Sequence, residues 1–167
     1  MSVRKLVCPL LLAALAIVPH ALGQDDVRIS ELSYLDRQYM AQQRDTLSEL
    51  AERNFGRQFH GKRESDLELL QLLLDRRLVR PDQTRELQAM GVIMGDLLAA
   101  DLDMHWVVYE DALGRSRALR YRETDNYLFP MTMISRRREA DSRTPVKEIY
   151  QKAYDIIAPL RPDLPFQ

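Results

Sequence analysis

Cysteine is nearly absent from this chain of 167 residues, which contains Cys8 alone. A single cysteine excludes an internal disulfide and a metal site built on several thiolates. Histidine is scarce too, with three residues, so a zinc site would need His60 and His105 together with carboxylates from separate elements. We therefore predict no metal and no cofactor, and we expect packing to provide the stability.

The chain also has no excess of charge of one sign, because it contains 24 lysines and arginines and 25 acids, which gives a formal net charge of −1. Loss of the first 23 residues, which contain Arg4 and Lys5 but no acid, would bring it to −3. This balance gives no general electrostatic reason to bind nucleic acid, and we predict no nucleic-acid partner. The sequence also lacks a glycine-rich phosphate loop and a Gly-x-Ser-x-Gly nucleophile motif.

The longest apolar run lies at the N-terminus, where basic residues precede the 13-residue segment Leu6–Val18 and the small-residue motif Ala21-Leu22-Gly23 follows it. This order is typical of a signal peptide cleaved after Gly23. A bilayer-spanning helix needs about 20 residues, so we predict no stable membrane anchor after processing. Cys8 lies too near the start of the apolar run to suit lipidation. We expect the mature protein in a periplasm or outside the cell.

The 144 residues that follow Gly23 suffice for one ordinary domain. We predict a polar linker at residues 24–30, a single α+β domain at residues 31–158 and a Pro-rich tail at residues 159–167. Prolines in that tail recur every third residue, which is the period of a polyproline helix.

Two helices are predicted in the N-terminal part of the domain. The first runs from Glu31 to Phe55 and ends at Gly56, a residue suited to a left-handed cap. Its apolar stripe, which the polar residues 42–45 interrupt, consists of Leu32, Leu35, Tyr39, Leu47, Leu50 and Ala51. The second helix is expected to begin at Ser65, because Ser65 and Glu68 have the spacing of a capping box before a leucine-rich run.

A buried central helix is predicted next, opened by Pro81 or Asp82. Between Ala89 and Ala100 it contains one charged residue, Asp96, and a helix so apolar around its circumference belongs in a core. Gly91 and Gly95 lie on one side of it. We expect their missing side chains to let a neighbouring element approach closely.

An antiparallel hairpin is predicted after the central helix, with strands at Trp106–Tyr109 and Arg117–Tyr121 and a turn at Glu110–Gly114. A short third strand should end at Phe129, followed by a short helix from Pro130 and a last helix opened by residues 144–145. The sequence thus predicts an α+β fold in which N-terminal and C-terminal helices and a hairpin or three-stranded sheet surround a buried helix.

Four residues are the candidate binding residues: Trp106, Glu110, Arg136 and Arg137. An indole at a strand edge can anchor a partner, and arginines can clamp phosphate or carboxylate. Asp96, alone in an apolar run, is expected to be a structural polar residue. The sequence leaves three roles open for the Asp96 carboxylate. It can form an ion pair with Arg117, Arg120, Arg136 or Arg137. It can instead belong to a solvated stripe with Arg85 and Asp103, or have a catalytic role.

Three segments resemble a family of bacterial domains of unknown function, found mainly in proteobacteria: Leu87–Asp96, His105–Asp111 and Phe129–Arg137. The resemblance covers about residues 67–154. It implies a shared fold, and because such domains have no established activity it transfers no catalytic or binding residue.

The favoured function is a non-enzymatic binding module, with the hairpin and residues 129–138 as its working face and another envelope protein as its partner. One alternative is a hydrolase-like enzyme that uses Asp96, Glu110 or Asp111 with His105, which requires these side chains to converge in a pocket. The other alternative is an inhibitor or immunity protein for an exported toxin. The oligomeric state is not predicted.

Overall fold

The computed structural model describes residues 27–162, so the predicted signal peptide and residues 163–167 of the predicted tail lie outside it. The described residues contain five α-helices, four strands and a short 3-10 helix, which confirms the predicted α+β class. In chain order these are β1 (Arg28–Glu31), α1 (Tyr34–Phe55), α2 (Arg63–Asp75), α3 (Thr84–Leu102), β2 (Met104–Asp111), β3 (Gly114–Tyr121), β4 (Tyr127–Leu128), α4 (Pro130–Glu139), α5 (Val146–Ile157) and the 3-10 helix (Ala158–Leu160).

The strands form one antiparallel sheet in the order β1-β2-β3-β4. Its centre is the predicted hairpin, whose turn is shorter than predicted because Glu110 and Asp111 belong to β2. The one strand that the sequence does not predict is β1, which lies where the sequence predicts a linker. Short, charged strands are typical of sheet edges, and their weak local pattern explains why this one is hard to predict.

The central helix α3 is buried, as predicted, with eleven buried residues. Its two glycines do permit close packing. A Cβ added at Gly91 would lie 2.5 Å from the Pro130 carbonyl oxygen, and one added at Gly95 would lie 2.4 Å from the Trp106 indole. The start of α4 and the indole of β2 therefore both rest on the glycine face of α3.

The buried stripe of α1 differs from the prediction. It comprises Asp36, Met40, Gln43, Leu47 and Ala51, whereas the predicted core residue Leu35 is 71% exposed. Asp36 occupies a core position because Ser33 and two arginines satisfy its carboxylate. The predicted left-handed cap at Gly56 is confirmed by a φ of 61°.

Three predicted helix starts are wrong. Helix α1 begins at Tyr34 rather than Glu31, because Glu31 is the last residue of β1 and Ser33 caps the helix. Helix α2 begins at Arg63 rather than Ser65, and the carboxylate of Asp66 accepts hydrogen bonds from the backbone N–H groups of His60 and Gly61. Helix α3 begins at Thr84 rather than at Pro81 or Asp82, because residues 80–83 form a turn closed by a backbone hydrogen bond and by the Gln83 side chain.

Within residues 27–162, every helix is too short or too polar to cross a lipid bilayer.

Candidate functional site

A cleft of about 550 Å³ opens between the β2–β3 hairpin and the start of α4. We call it the edge cleft. It joins the two segments that the sequence predicts as the working face, the hairpin and residues 129–138. Its lining residues come from five elements and the segments beside them: Tyr39, Gln88, Tyr109, Asp111, Leu113, Gly114, Arg115, Ser116, Arg117, Phe129, Met131, Thr132 and Arg136.

The floor of the edge cleft is an unpaired edge of β3. The backbone N–H of Tyr121 donates to Asn126 on the β4 side, and Leu119 pairs with Leu128. Alternate residues of an antiparallel strand direct their backbone groups to the same side. The backbone groups of Arg115 and Arg117 therefore face away from β2, and no strand of the described chain pairs with them.

Pro130 explains why the pairing stops. Continuing the register of β3 and β4 would place Pro130 opposite Arg117, but Pro130 has no N–H and is the first residue of α4. Gly91 leaves room for the chain to turn down onto α3 at this point. The divergence of α4 from β3 creates the cleft.

One wall of the cleft carries a charged cluster. The carboxylate of Asp36 accepts from Arg115 at 2.6 Å and from Arg117 at 2.9 Å, and its side chain is 2% exposed. The Arg115 guanidinium, helped by the hydroxyl and backbone N–H of Ser33 and the charge of Arg117, holds the pKa of Asp36 well below its usual range. The Arg117 guanidinium also stacks on the ring of Tyr39, 4.3 Å from its centroid.

The opposite wall is aromatic. The Tyr109 ring packs edge-on against Tyr127 and Phe129, with centroids 5.1 and 5.3 Å apart. Tyr109 pairs with Ser116, the neighbour of Arg117, and side chains alternate between the faces of a strand. The aromatic rings and the charged cluster therefore flank the unpaired edge from opposite faces of the sheet.

Two of the predicted binding residues lie at or beside this cleft. Arg136 lines it, is exposed, and makes no ion pair with a residue of the described chain. Glu110 is exposed next to it, in register with Arg28 and Arg115. Arg137 does not line the cleft, because its guanidinium donates to the backbone carbonyl of Met133 on its own helix.

Trp106 and Asp96, the other two residues singled out in the sequence, meet on the same face of the sheet as the Asp36 cluster but outside the edge cleft. The Trp106 indole N–H donates to Asp96 at 2.9 Å, and Arg44 binds the same carboxylate through two nitrogens at 2.6 and 2.8 Å. The predicted partners of Asp96 are wrong because Arg44 reaches it from α1. Within the polar interruption of the α1 stripe, Gln43 is buried and Arg44 forms this ion pair, whereas Gln42 and Asp45 are exposed.

The residues of the hydrolase-like alternative do not converge. Asp96 lies beside Trp106, whereas His105 is on the opposite face of β2 and Asp111 lines the edge cleft. Asp103 caps α3 and pairs with Arg122. Within residues 27–162, no three of the histidines and carboxylates come together as a metal-ligand set.

The sequence misses Asp36, Tyr39, Arg115 and Tyr109 as residues of the site. A local signal exists for Asp36 alone, because Ser33 and Asp36 have the spacing of a capping box and form one in the structure. The other contacts join residues far apart in the chain, and local periodicity does not predict such contacts.

A family model described as "Domain of unknown function (DUF3806)" matches residues 66–150. Among solved structures, a crystal structure from Bacteroides thetaiotaomicron VPI-5482 is similar, with a TM-score of 0.70 and 20% identity over 80% of this chain. The present chain covers 50% of that protein, and at this identity the likeness shows the fold alone. No curated protein matches the sequence.

Proposed function

The chain belongs to the DUF3806 family of domains of unknown function, and we propose that this member is an exported, non-enzymatic binding module. Its partner would be another envelope protein, from which an extended segment bearing a carboxylate enters the edge cleft and adds a strand to β3. The unpaired backbone of Arg115 and Arg117 is the observation that carries this proposal. Export is supported by the signal-peptide pattern of residues 1–23.

Strand addition suits this edge because main-chain hydrogen bonds can provide affinity while side chains on either face provide specificity. Arg115 and Ser116 are exposed, so an incoming strand has access to the backbone. The edge is also short, since β4 already covers Leu119 and Arg120. Short, charged edges resist indiscriminate pairing, which favours a specific partner over self-association.

Charge favours an acidic segment. Asp36 already engages Arg115 and Arg117, but Arg136 at the rim has no acidic partner among the described residues. A carboxylate placed along β3 would find this guanidinium available for a charge-assisted hydrogen bond. The rings of Tyr109 and Phe129 offer an apolar surface to alternate side chains of the same segment.

The position of the cleft within the family match gives further support. The β2–β3 hairpin and α4 lie inside residues 66–150, whereas Asp36 and Tyr39 precede that range. The backbone edge and Arg136 therefore belong to the part of the chain that the family defines. The wall supplied by α1 lies outside the matched range.

The proposal is tested by calorimetric titration of a short peptide that alternates glutamate with threonine into protein purified after expression of the whole chain. A peptide that alternates lysine with threonine serves as the comparator. We expect the acidic peptide to bind more tightly and Arg136→Gln to weaken it about tenfold, the effect of one charged hydrogen bond. Arg53→Gln, an exposed change on α1 outside the cleft, should leave affinity unchanged.

Backbone pairing is tested by two variants at one position. Arg115→Ala and Arg115→Pro lose the same side chain, but only the proline also loses the N–H that faces the free edge. We expect Arg115→Pro to bind more weakly than Arg115→Ala. Equal affinities for the two variants, or tighter binding of the lysine peptide by the native protein, would contradict the proposal.

A further inference from the structure

A second cleft, of about 570 Å³, lies where the connectors that follow α2 and α4 meet. We call it the connector cleft. It is separate from the edge cleft, with which it shares no lining residue, and it is lined by Gln71, Leu74, Asp75, Arg77, Val79, Arg80, Pro81, Arg138, Asp141, Ser142 and Arg143.

Arg138 is the distinctive residue of the connector cleft. Its two terminal nitrogens donate to the backbone carbonyls of Ser142 and Thr144, each at 3.1 Å. Its Nε–H is buried and has no hydrogen-bond partner among the described residues, and no carboxylate there pairs with it. Burial lowers the pKa of Arg138. The charge of Asp75 raises the same pKa. Because no carboxylate of the described residues lies within ion-pair distance of this guanidinium, an anion that joined it would stabilise its positive charge.

Three more arginines line the same cleft, and all three are exposed: Arg77, Arg80 and Arg143. The acids nearby are Asp75 and Asp141 in the lining and Asp82, which pairs with Arg80 at 3.1 Å. Four arginines against three acids leave the cleft with net positive charge. Arginine is the side chain best suited to phosphate, because its planar donors match the phosphate oxygens.

The backbone on both sides of the connector cleft is unusual. Helices α2 and α4 each end in a turn whose left-handed residue is not glycine: Arg77 at φ 56° and Asp141 at φ 54°. In each turn the next residue donates back to the carbonyl five positions earlier, the cap pattern that normally selects glycine. Both side chains line the cleft, whereas the other two non-glycine residues with positive φ among residues 27–162, Asp103 and Arg122, lie outside it.

We infer that the connector cleft binds a phosphate group, with Arg138 at its base and Arg77, Arg80 and Arg143 around it. The volume exceeds what inorganic phosphate needs and leaves room for an organic substituent. The phosphate can belong to a soluble phosphate ester or to a lipid headgroup, because both present the same oxygens to the arginines. This inference does not depend on the proposed peptide-binding function.

The first test is calorimetric titration of inorganic phosphate into the purified full chain in a chloride buffer. We expect saturable binding, and we expect Arg80→Gln and Arg143→Gln each to weaken it by about fivefold or more. Arg76→Gln is the matched control, because Arg76 is exposed beside Arg77 but does not line the cleft, and it should change affinity less than twofold. Arg138→Gln should abolish binding.

Absence of phosphate binding by the native protein would overturn the inference, as would equal losses in Arg76→Gln and Arg143→Gln. If Arg138→Gln fails to fold, the two exposed-arginine variants decide the matter. Co-sedimentation with phosphatidylglycerol vesicles separates the two sources of phosphate. Vesicle binding that Arg143→Gln weakens and inorganic phosphate displaces assigns a lipid headgroup, whereas phosphate binding without vesicle binding assigns a soluble ester.

Discussion

Gly91 on α3 lies directly against Pro130, the first residue of α4, and a side chain on Gly91 would meet the Pro130 carbonyl oxygen at 2.5 Å and the Met131 Cα at 2.6 Å. This contact lets the chain leave the sheet after β4 and turn into α4. The unpaired edge of Arg115 and Arg117 results from that departure. One close backbone approach thus links the buried helix to the edge cleft.

Gly91→Ala should destabilise the protein. The added methyl group meets backbone atoms of α4 that cannot yield as a flexible side chain does, so we expect a loss of about 2 kcal/mol in the free energy of unfolding, despite alanine's better helix propensity. Urea unfolding measures it. Gly56→Ala is the control, because its Cβ would meet no atom within 4 Å and it carries only the strain of φ 61°. A smaller loss for Gly91→Ala than for Gly56→Ala would contradict this account of the packing.

The Asp36 cluster should make stability depend on pH. The pKa of Asp36 is lowered in the folded protein by Arg115 first, whereas an unfolded aspartate titrates near 3.9. The cluster therefore stabilises the protein above about pH 5, and this contribution is lost as pH falls through the unfolded and then the folded pKa. Urea unfolding should show the native protein losing on the order of 2 kcal/mol more than Asp36→Asn between pH 6 and pH 2.

The control for that pH dependence is Glu49→Gln, an exposed acid on the same helix. The free energy of unfolding of Glu49→Gln should depend on pH in the same way as that of the native protein. If Asp36→Asn and the native protein lose stability in parallel on acidification, the ion pairs with Arg115 and Arg117 do not form in solution.

Arg44 and Asp96 should be energetically coupled. Their side chains are 37% and 36% exposed, so solvent screens the pair, and a double-mutant cycle with Arg44→Gln and Asp96→Asn should give about 1 kcal/mol. The exposed pair Arg80 and Asp82 is the matched control and should give less. Asp96→Asn should also shift the fluorescence of Trp106, the only tryptophan, since its indole N–H donates to Asp96. Coupling equal to that of the exposed pair would argue against a structural role.

Arg77→Gly should stabilise the protein while weakening phosphate binding. Glycine adopts the left-handed conformation of residue 77 without the strain of a side chain, so we expect a gain of about 1 kcal/mol in thermal or urea unfolding. Arg76→Gly is the comparison, because Arg76 has φ −84° and should gain nothing. If Arg77→Gly proves destabilising, the side chain of Arg77 has a structural role rather than a role in ligand binding.

The core of this fold is predictable because its signal is local. One charge among twelve residues marks α3 as buried, and the spacing of Gly91 and Gly95 predicts a close neighbour on one side. The hairpin is predictable from the change of period at Trp106. The edge strand β1 is harder to predict, since its four residues have a charge at each end and one apolar side chain, and they resemble a linker until β2 pairs with them.

The candidate site is predictable only in outline. Its two segments, the hairpin and the chain around Arg136, are evident in the sequence, but the contacts that shape it are long-range. Arg115 is 79 residues from Asp36, and Arg44 is 52 residues from Asp96. Any of several arginines satisfies the same chemical requirement, so the choice among them depends on how the helices pack, which local patterns do not specify.

Hydrogen exchange along β3 tests the unpaired edge most directly. The amides of Arg115 and Arg117 face the cleft, whereas the amide of Ser116 between them faces Tyr109 on β2. In the protein alone we expect Arg115 and Arg117 to exchange fast and Ser116 slowly, and we expect both arginine amides to become protected when the glutamate–threonine peptide is added. Slow exchange of Arg115 and Arg117 before any peptide is added, or no change in their exchange at a saturating peptide concentration, would contradict the account.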